Sequence, residues 1–201
     1  MELLSLYRAE YTVPLTKVVM GVRSAARTEH AAAIVGQRLK RQPRIVAKLV
    51  RFPHMELSRM QDIGGCRAIL PSTGTVAAVL RRIERQKSEV VSIDDYNRSP
   101  KPTGYRAIHV VVKRDGTLVE IQLRTPWQQD WATLVENLDG TYGLTLKDES
   151  GAAEILDYLR LLADAMHARY ALGRLEAERV RSLESARTVA AAWLAARGRM
   201  P

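Results

Sequence analysis

Asp115-Gly116 stands between two runs of alternating residues, Tyr105–Lys113 and Thr117–Arg124. This dipeptide favours the tight turn whose twist matches two antiparallel strands, so a two-residue hairpin is the expectation. Such a turn sets the register, with Arg114 opposite Thr117, Val111 opposite Glu120 and His109 opposite Gln122. Parity then sorts the second strand into two faces. Val119, Ile121 and Leu123 point one way, toward a core. Leu118, Glu120, Gln122 and Arg124 point the other, and His109 joins them. A row with an imidazole, a carboxylate, an amide and a guanidinium reads as a polar site, with a solvated sheet face as the alternative.

Further strands and helices are legible around the hairpin. Cys66–Leu70, after Gly64-Gly65, reads as a strand that stops at Pro71-Ser72-Thr73-Gly74. Val76–Gln86 reads as a helix with Val76, Val79, Leu80 and Ile83 on one face. Val90–Ile93 is a short strand, followed by a loop over 94–104 that holds Pro100 and Pro102. Residues 1–60 carry no strong strand signal. Ala25–Lys40 and Arg44–Arg51 are compatible with helix, Pro43 suits a helix start or a joint, and Phe52-Pro53 marks a break. From Pro126 onward the chain reads as helical, with Ile155, Leu159, Leu162, Met166 and Tyr170 as an apolar stripe. The Arg- and Ala-rich end, residues 174–201, fits a tail helix or an oligomerisation element.

Composition narrows the class. The 201 residues are 46% hydrophobic and 26% charged, as in an ordinary globular chain, which excludes collagen-like and wholly disordered readings. A lone cysteine, Cys66, permits no internal disulfide. No apolar run approaches the ~18 residues of a membrane span. Glu2, Arg8 and Glu10 interrupt the start, which makes a poor signal peptide. A cytoplasmic protein without a membrane partner is therefore expected. The net charge of +9 favours a polyanionic partner, with a solubilising surface as the alternative.

Asp62, just before Gly64-Gly65, fits a turn or cap, as Asp often does. Paired with Glu120 it also fits a site for Mg²⁺, which takes one or two carboxylates and completes its shell with water and phosphates. His30, His54 and His167 are scattered and show no zinc spacing, so surface or helix-face positions are expected for them. Neither a phosphate loop nor a dinucleotide fingerprint is present. Arg44, Lys48 and Arg51 would share one face of a helix, either solvated or near an anion.

Four stretches, taken in order, resemble the RelA/SpoT alarmone synthetase domain. They are Arg38-Leu39-Lys40 with Lys48; Met60-Gln61-Asp62-Ile63-Gly64-Gly65-Cys66-Arg67; Asp95-Tyr96 with Pro100-Lys101-Pro102-Thr103-Gly104-Tyr105-Arg106-Ala107-Ile108-His109; and Val119-Glu120-Ile121-Gln122-Leu123-Arg124-Thr125 with Trp131-Ala132. The resemblance covers about residues 35–140. It implies an α+β fold, a nucleotidyltransferase-like mixed β-sheet flanked by helices, with helical N- and C-terminal extensions. It also implies a synthetase domain over 1–145 and a C-terminal helical extension over 146–201.

The activity it implies is transfer of the β,γ-pyrophosphate of ATP to the 3′-hydroxyl of GDP or GTP, giving (p)ppGpp and AMP. Carried over by position, Asp62 and Glu120 would hold Mg²⁺, and Glu120 would also serve as base. Arg38, Lys40, Lys48 and Arg67 would bind ATP. Tyr105, Lys101, His109, Gln122 and Arg124 would bind or orient the acceptor. Arg44, Thr103 and Glu136-Asn137 depart from the family's usual serine, asparagine and glutamate-histidine. No His-Asp dipeptide occurs, so synthesis without a hydrolase domain is expected. The alternatives are a toxin-type enzyme that pyrophosphorylates the 3′ end of tRNA, and a non-catalytic RNA-binding module. For protein partners, a homo-oligomer and an antitoxin both stay open.

Overall fold

Asp115 and Gly116 both adopt positive φ, at 50° and 81°, as the expected turn demands. The hairpin they close belongs to a computed structural model that describes residues 2–146 and 149–198. Met1, Lys147-Asp148 and the end of the 174–201 segment, residues 199–201, lie outside it.

In chain order the helices are α1 (Glu2–Ala9), α2 (Thr12–Glu29), α3 (Gln42–Arg51), α4 (Thr73–Glu84), α5 (Pro126–Tyr142), α6 (Ala153–Leu172) and α7 (Ala177–Arg197). The strands are β1 (Ile34–Leu39), β2 (Gly64–Ile69), β3 (Glu89–Asp95), β4 (Ile108–Arg114) and β5 (Thr117–Arg124). They form one mixed sheet in the order β1-β2-β5-β4-β3. Only β2 and β5 pair in parallel, and every other neighbouring pair is antiparallel. This is the mixed α+β sheet expected from the sequence. The register is also as expected: Arg114 faces Thr117, Val111 faces Glu120 and His109 faces Gln122.

The chain separates into two compact units. The first runs through Asp95 and adds Ala107–Thr125, so it holds the whole sheet with α1–α4. Val110, Val112, Val119, Ile121 and Leu123 form one sheet face, and α2 and α4 cover it with Leu15, Val18, Val22, Val76, Val79 and Ile83. Each such buried aliphatic side chain contributes about 1.5–3 kcal/mol, more than an exposed ion pair such as Lys17–Asp115. Ser72 caps α4 by accepting the Thr75 amide at 3.0 Å, which explains why helix starts at Thr73, so soon after β2 ends at Ile69. A smaller cluster of Tyr11, Ile45, Met60 and Ile63 seats α3.

The helix-compatible reading of Ala25–Lys40 needs correction. Helix α2 stops at Glu29, and Ile34–Leu39 is an edge strand paired with β2. Four of its six residues are exposed, so the alternation that marks a half-buried strand is missing. The first hairpin strand also begins later than expected, at Ile108 rather than Tyr105, because Tyr105 and Arg106 belong to a loop of the other unit.

That second unit comprises Tyr96–Arg106 and the chain from Pro126 onward. Trp131, Val135, Ile155, Leu159, Ala163 and Ala190 form its core, and the Trp131 indole donates to the Leu159 carbonyl at 3.0 Å. Of the expected stripe on α6, Ile155 and Leu159 are fully buried, whereas Tyr170 is 38% exposed. Ala163, Ala165 and Ala168 take the closest positions instead. Among the described residues, no helix is long and apolar enough to cross a membrane.

Candidate functional site

The polar row on the sheet and the turn before β2 come together in the first unit. Helix α3 begins with Pro43 in its first turn and buries Ile45. Lys48, three residues further on the same side, then projects toward Asp62, where its Nζ lies 2.9 Å from Oδ1. Lys40, just past β1, donates its ammonium to the other carboxylate oxygen. Its backbone is fixed from both sides: the Lys40 amide donates to the Ile63 carbonyl at 2.8 Å, and Arg8 Nε donates to the Lys40 carbonyl at 2.9 Å. Asp62 is therefore no simple turn residue, since two cations converge on a carboxylate only 18% exposed.

Glu120 is held in the same manner from the hairpin. Its Oε1 lies 3.0 Å from His109 Nδ1, and its Oε2 accepts from Gln122 Nε2 at 2.7 Å. On the parallel side Glu120 is opposite Gly65, which is opposite Arg38 on β1. Two residues along, on the same face, Arg67, Gln122 and His109 occupy neighbouring positions across β2, β5 and β4. The Arg38 side chain lies over this glycine, its Cγ 3.6 Å from the place a Gly65 Cβ would take, an ordinary contact distance. Arg124, at the far end of β5, is buried, and its carbonyl accepts the Leu70 amide.

The electrostatics follow from this geometry. Burial pushes the Asp62 carboxyl up, but the hydrogen bonds and charges of Lys40 and Lys48 outweigh it and hold the group below the usual carboxylate range. Burial likewise pushes Glu120 up. The hydrogen bond and charge of His109, with the Gln122 amide, prevail and lower it, while the Asp62 charge opposes them. Lys40 is lowered by burial and by the neighbouring Lys48 and Arg38, which Asp62 offsets only in part.

Asp62 and Glu120 share one cavity of about 480 Å³, with Lys48, His54, Arg59 and Met60 also in its wall. His54, exposed as expected, and Arg59, which the motifs did not single out, thus also line this cavity. Arg59 lies three residues before Asp62 and just outside the Met60–Arg67 motif, and a basic residue so near the acid was the signal available for it. Two carboxylates that feel each other's charge across one cavity are oxygen donors of the kind Mg²⁺ takes. The residues present fit that ion.

The remaining expected residues, Tyr105 and Lys101, lie in the second unit. The Tyr105 ring is 5.7 Å from Tyr96 and 5.9 Å from Trp131, and Lys101 Nζ lies 5.4 Å above the Tyr96 ring. Lys101 also lies 3.7 Å from Glu149.

Comparison with known proteins gives the family. The family described as the region found in RelA / SpoT proteins matches residues 37–142, more than half of the chain. An uncharacterised protein of Mycobacterium tuberculosis is 36% identical over 112 residues, which is 55% of this chain and 41% of that protein. The GTP pyrophosphokinase YjbM of Bacillus subtilis is 32% identical over 128 residues, covering 55% of this chain and 61% of YjbM. The chain thus spans less than two thirds of the length of these relatives. Among solved structures, small alarmone synthetase 1 of Bacillus subtilis bound to its product pppGpp is 26% identical. It superimposes with a TM-score of 0.68 over 81% of this chain and 92% of that one.

Proposed function

The chain belongs to the RelA/SpoT family, and from that membership we propose that it is a pyrophosphokinase acting on ATP and a guanine nucleotide. In this reading the 3′-hydroxyl oxygen of GDP or GTP attacks the β-phosphorus of ATP. The bond from that phosphorus to the α,β-bridging oxygen breaks, AMP leaves, and the hydroxyl proton passes to a base. The observation that supports it is the shared cavity of Asp62 and Glu120, each acid held by its own donors.

The roles follow from the chemistry of the groups. Glu120, kept as a carboxylate by His109 and Gln122, accepts the hydroxyl proton. Lys40, Lys48 and Arg67 offset the charge of the triphosphate, and Arg38 adds a planar guanidinium at the same edge. Tyr105 offers a ring face to the acceptor base, Lys101 a cation to its phosphates, and Arg124 braces the end of β5. Asp62 and Glu120 would hold Mg²⁺, which when bound neutralises phosphate charge and lines up the reacting groups. Such a transfer depends on positioning and electrostatic stabilisation, and fixed side chains of these types supply both. ATP and guanine nucleotides as substrates also place the reading in the cytoplasm.

The test is incubation with Mg²⁺ and ATP labelled at the γ-phosphate, with GDP, GTP or deacylated tRNA as acceptor. The reading expects label on a guanosine nucleotide and release of unlabelled AMP. Label on tRNA alone, or on no acceptor, contradicts it.

A further inference from the structure

Tyr105 lies on a loop without regular hydrogen-bonded structure, yet the loop is fastened on both sides of the tyrosine to one helix. On one side, Gly104 has φ +85°, and a Cβ there would lie 2.5 Å from the Ala163 Cβ and 3.2 Å from the Arg160 Cα, both on α6. The loop backbone therefore rests directly on that helix, in a conformation that favours glycine. On the other side, Arg106 Nη2 lies 3.0 Å from Asp164 Oδ1, and the Arg106 side chain is only 11% exposed. Ala163 and Asp164 are consecutive, so the two fastenings share one turn of α6. Within the loop, the Gly104 amide donates to the Lys101 carbonyl at 2.7 Å and the Lys101 amide to the Tyr105 carbonyl at 3.2 Å. Trp131, beside the Tyr105 ring, is itself tied to α6 through Leu159.

We infer that the Arg106–Asp164 ion pair is a positioning device for the acceptor, by which α6 sets the orientation of Tyr105 and Lys101. The inference rests on the acceptor role given above to those two residues. Asp164 lies outside the stretch matched by the family, so it assigns a task in the reaction to the C-terminal helices. Asp164 acts through Arg106 and touches no substrate. Arg106 makes the closer of two ion pairs to this carboxylate: Arg160 also approaches it, at 3.8 Å, and pairs more closely with Asp157, at 2.7 Å. A partly buried Arg with a fixed acceptor loses little freedom on holding it, which suits a brace better than a flexible surface pair.

The variants are Asp164→Asn, which keeps shape and removes charge, and Arg106→Lys, which keeps charge and removes the planar fork. Initial rates in both substrates, amide exchange over 101–107 and thermal melting are compared with wild type. Asp164→Asn should raise KM for the guanine nucleotide roughly tenfold, the scale of one lost charge-assisted bond, with KM for ATP and the melting midpoint unchanged. Exchange at Gly104 should quicken by a similar factor. Arg106→Lys should show both effects in weaker form than an added Arg106→Gln variant, which removes the charge as well as the fork. Unchanged acceptor KM and exchange overturn the inference, as does an equal loss for both substrates with a lowered midpoint, which marks a general structural role. A wild-type protein that labels no guanosine nucleotide instead overturns the functional reading beneath it.

Discussion

His109 Nδ1 lies 3.0 Å from Glu120 Oε1, although the strand register pairs His109 with Gln122. The contact is diagonal across the two strands, within reach of a long acidic side chain. It leaves Glu120 held from the next strand by His109 and from its own by Gln122. Replacing His109 with Ala removes one of these holds without touching the apolar face of the sheet. We expect kcat to fall by about a hundredfold with KM for ATP within threefold, as for loss of a group that orients a base. Initial rates check this, and a kcat within twofold of wild type would contradict it.

Asp62 carries two ammonium groups, and Asp62→Asn keeps the shape while it removes their counter-charge. Turnover should fall by about a hundredfold to a thousandfold, the scale seen when one electrostatic contact of a transition state is lost. The far-ultraviolet circular dichroism spectrum should stay unchanged, since the core cluster under the sheet does not include this side chain. A variant that retains a tenth of wild-type turnover refutes the role given to the acid.

Gly104 is the backbone position least open to change. Gly104→Ala must accommodate a Cβ 2.5 Å from that of Ala163 at a φ of +85°. The cost should be about 1–3 kcal/mol, from strain and overpacking together. Urea denaturation reads it as a lower midpoint with an unchanged slope. An unaltered midpoint means that loop and helix do not lie as close as described.

Cys66 provides a pH test separate from catalysis. Burial pushes its thiol up to about 12. The unfolded thiol ionises near ~8.5. Stability tied to this group is therefore fully present below the unfolded value and declines as pH rises from there toward the folded one. Folded protein should fail to react with a disulfide reagent at pH 8 over an hour, while protein in 8 M urea reacts at once. Rapid labelling of the folded chain contradicts the burial.

Local geometry was legible in the sequence where a turn dictated it. Asp115-Gly116 sets the pairing of His109, Glu120 and Gln122 because a two-residue loop allows one register. Other relationships were not written locally. Asp62 and Glu120 share a cavity because β2 and β5 pair in parallel and set Gly65 beside Glu120, an arrangement no short-range pattern specifies. The β1 strand was missed because an edge with four exposed residues has no alternation to read. His54 and Arg59 were missed as parts of the cavity because they lie before and within a short helical turn, Leu57–Arg59, whose path depends on packing around Met60 and Ile63. The Arg106–Asp164 pair joins residues 58 apart in sequence, with nothing nearby to announce it.

The most direct measurement is a crystal of the protein grown with Mn²⁺ and a non-hydrolysable ATP analogue, recorded at the manganese absorption edge. The account predicts an anomalous peak about 2.0–2.3 Å from a carboxylate oxygen of Asp62 and of Glu120, with the analogue's phosphates beside it. A manganese site elsewhere, or phosphates bound away from both acids, would contradict it.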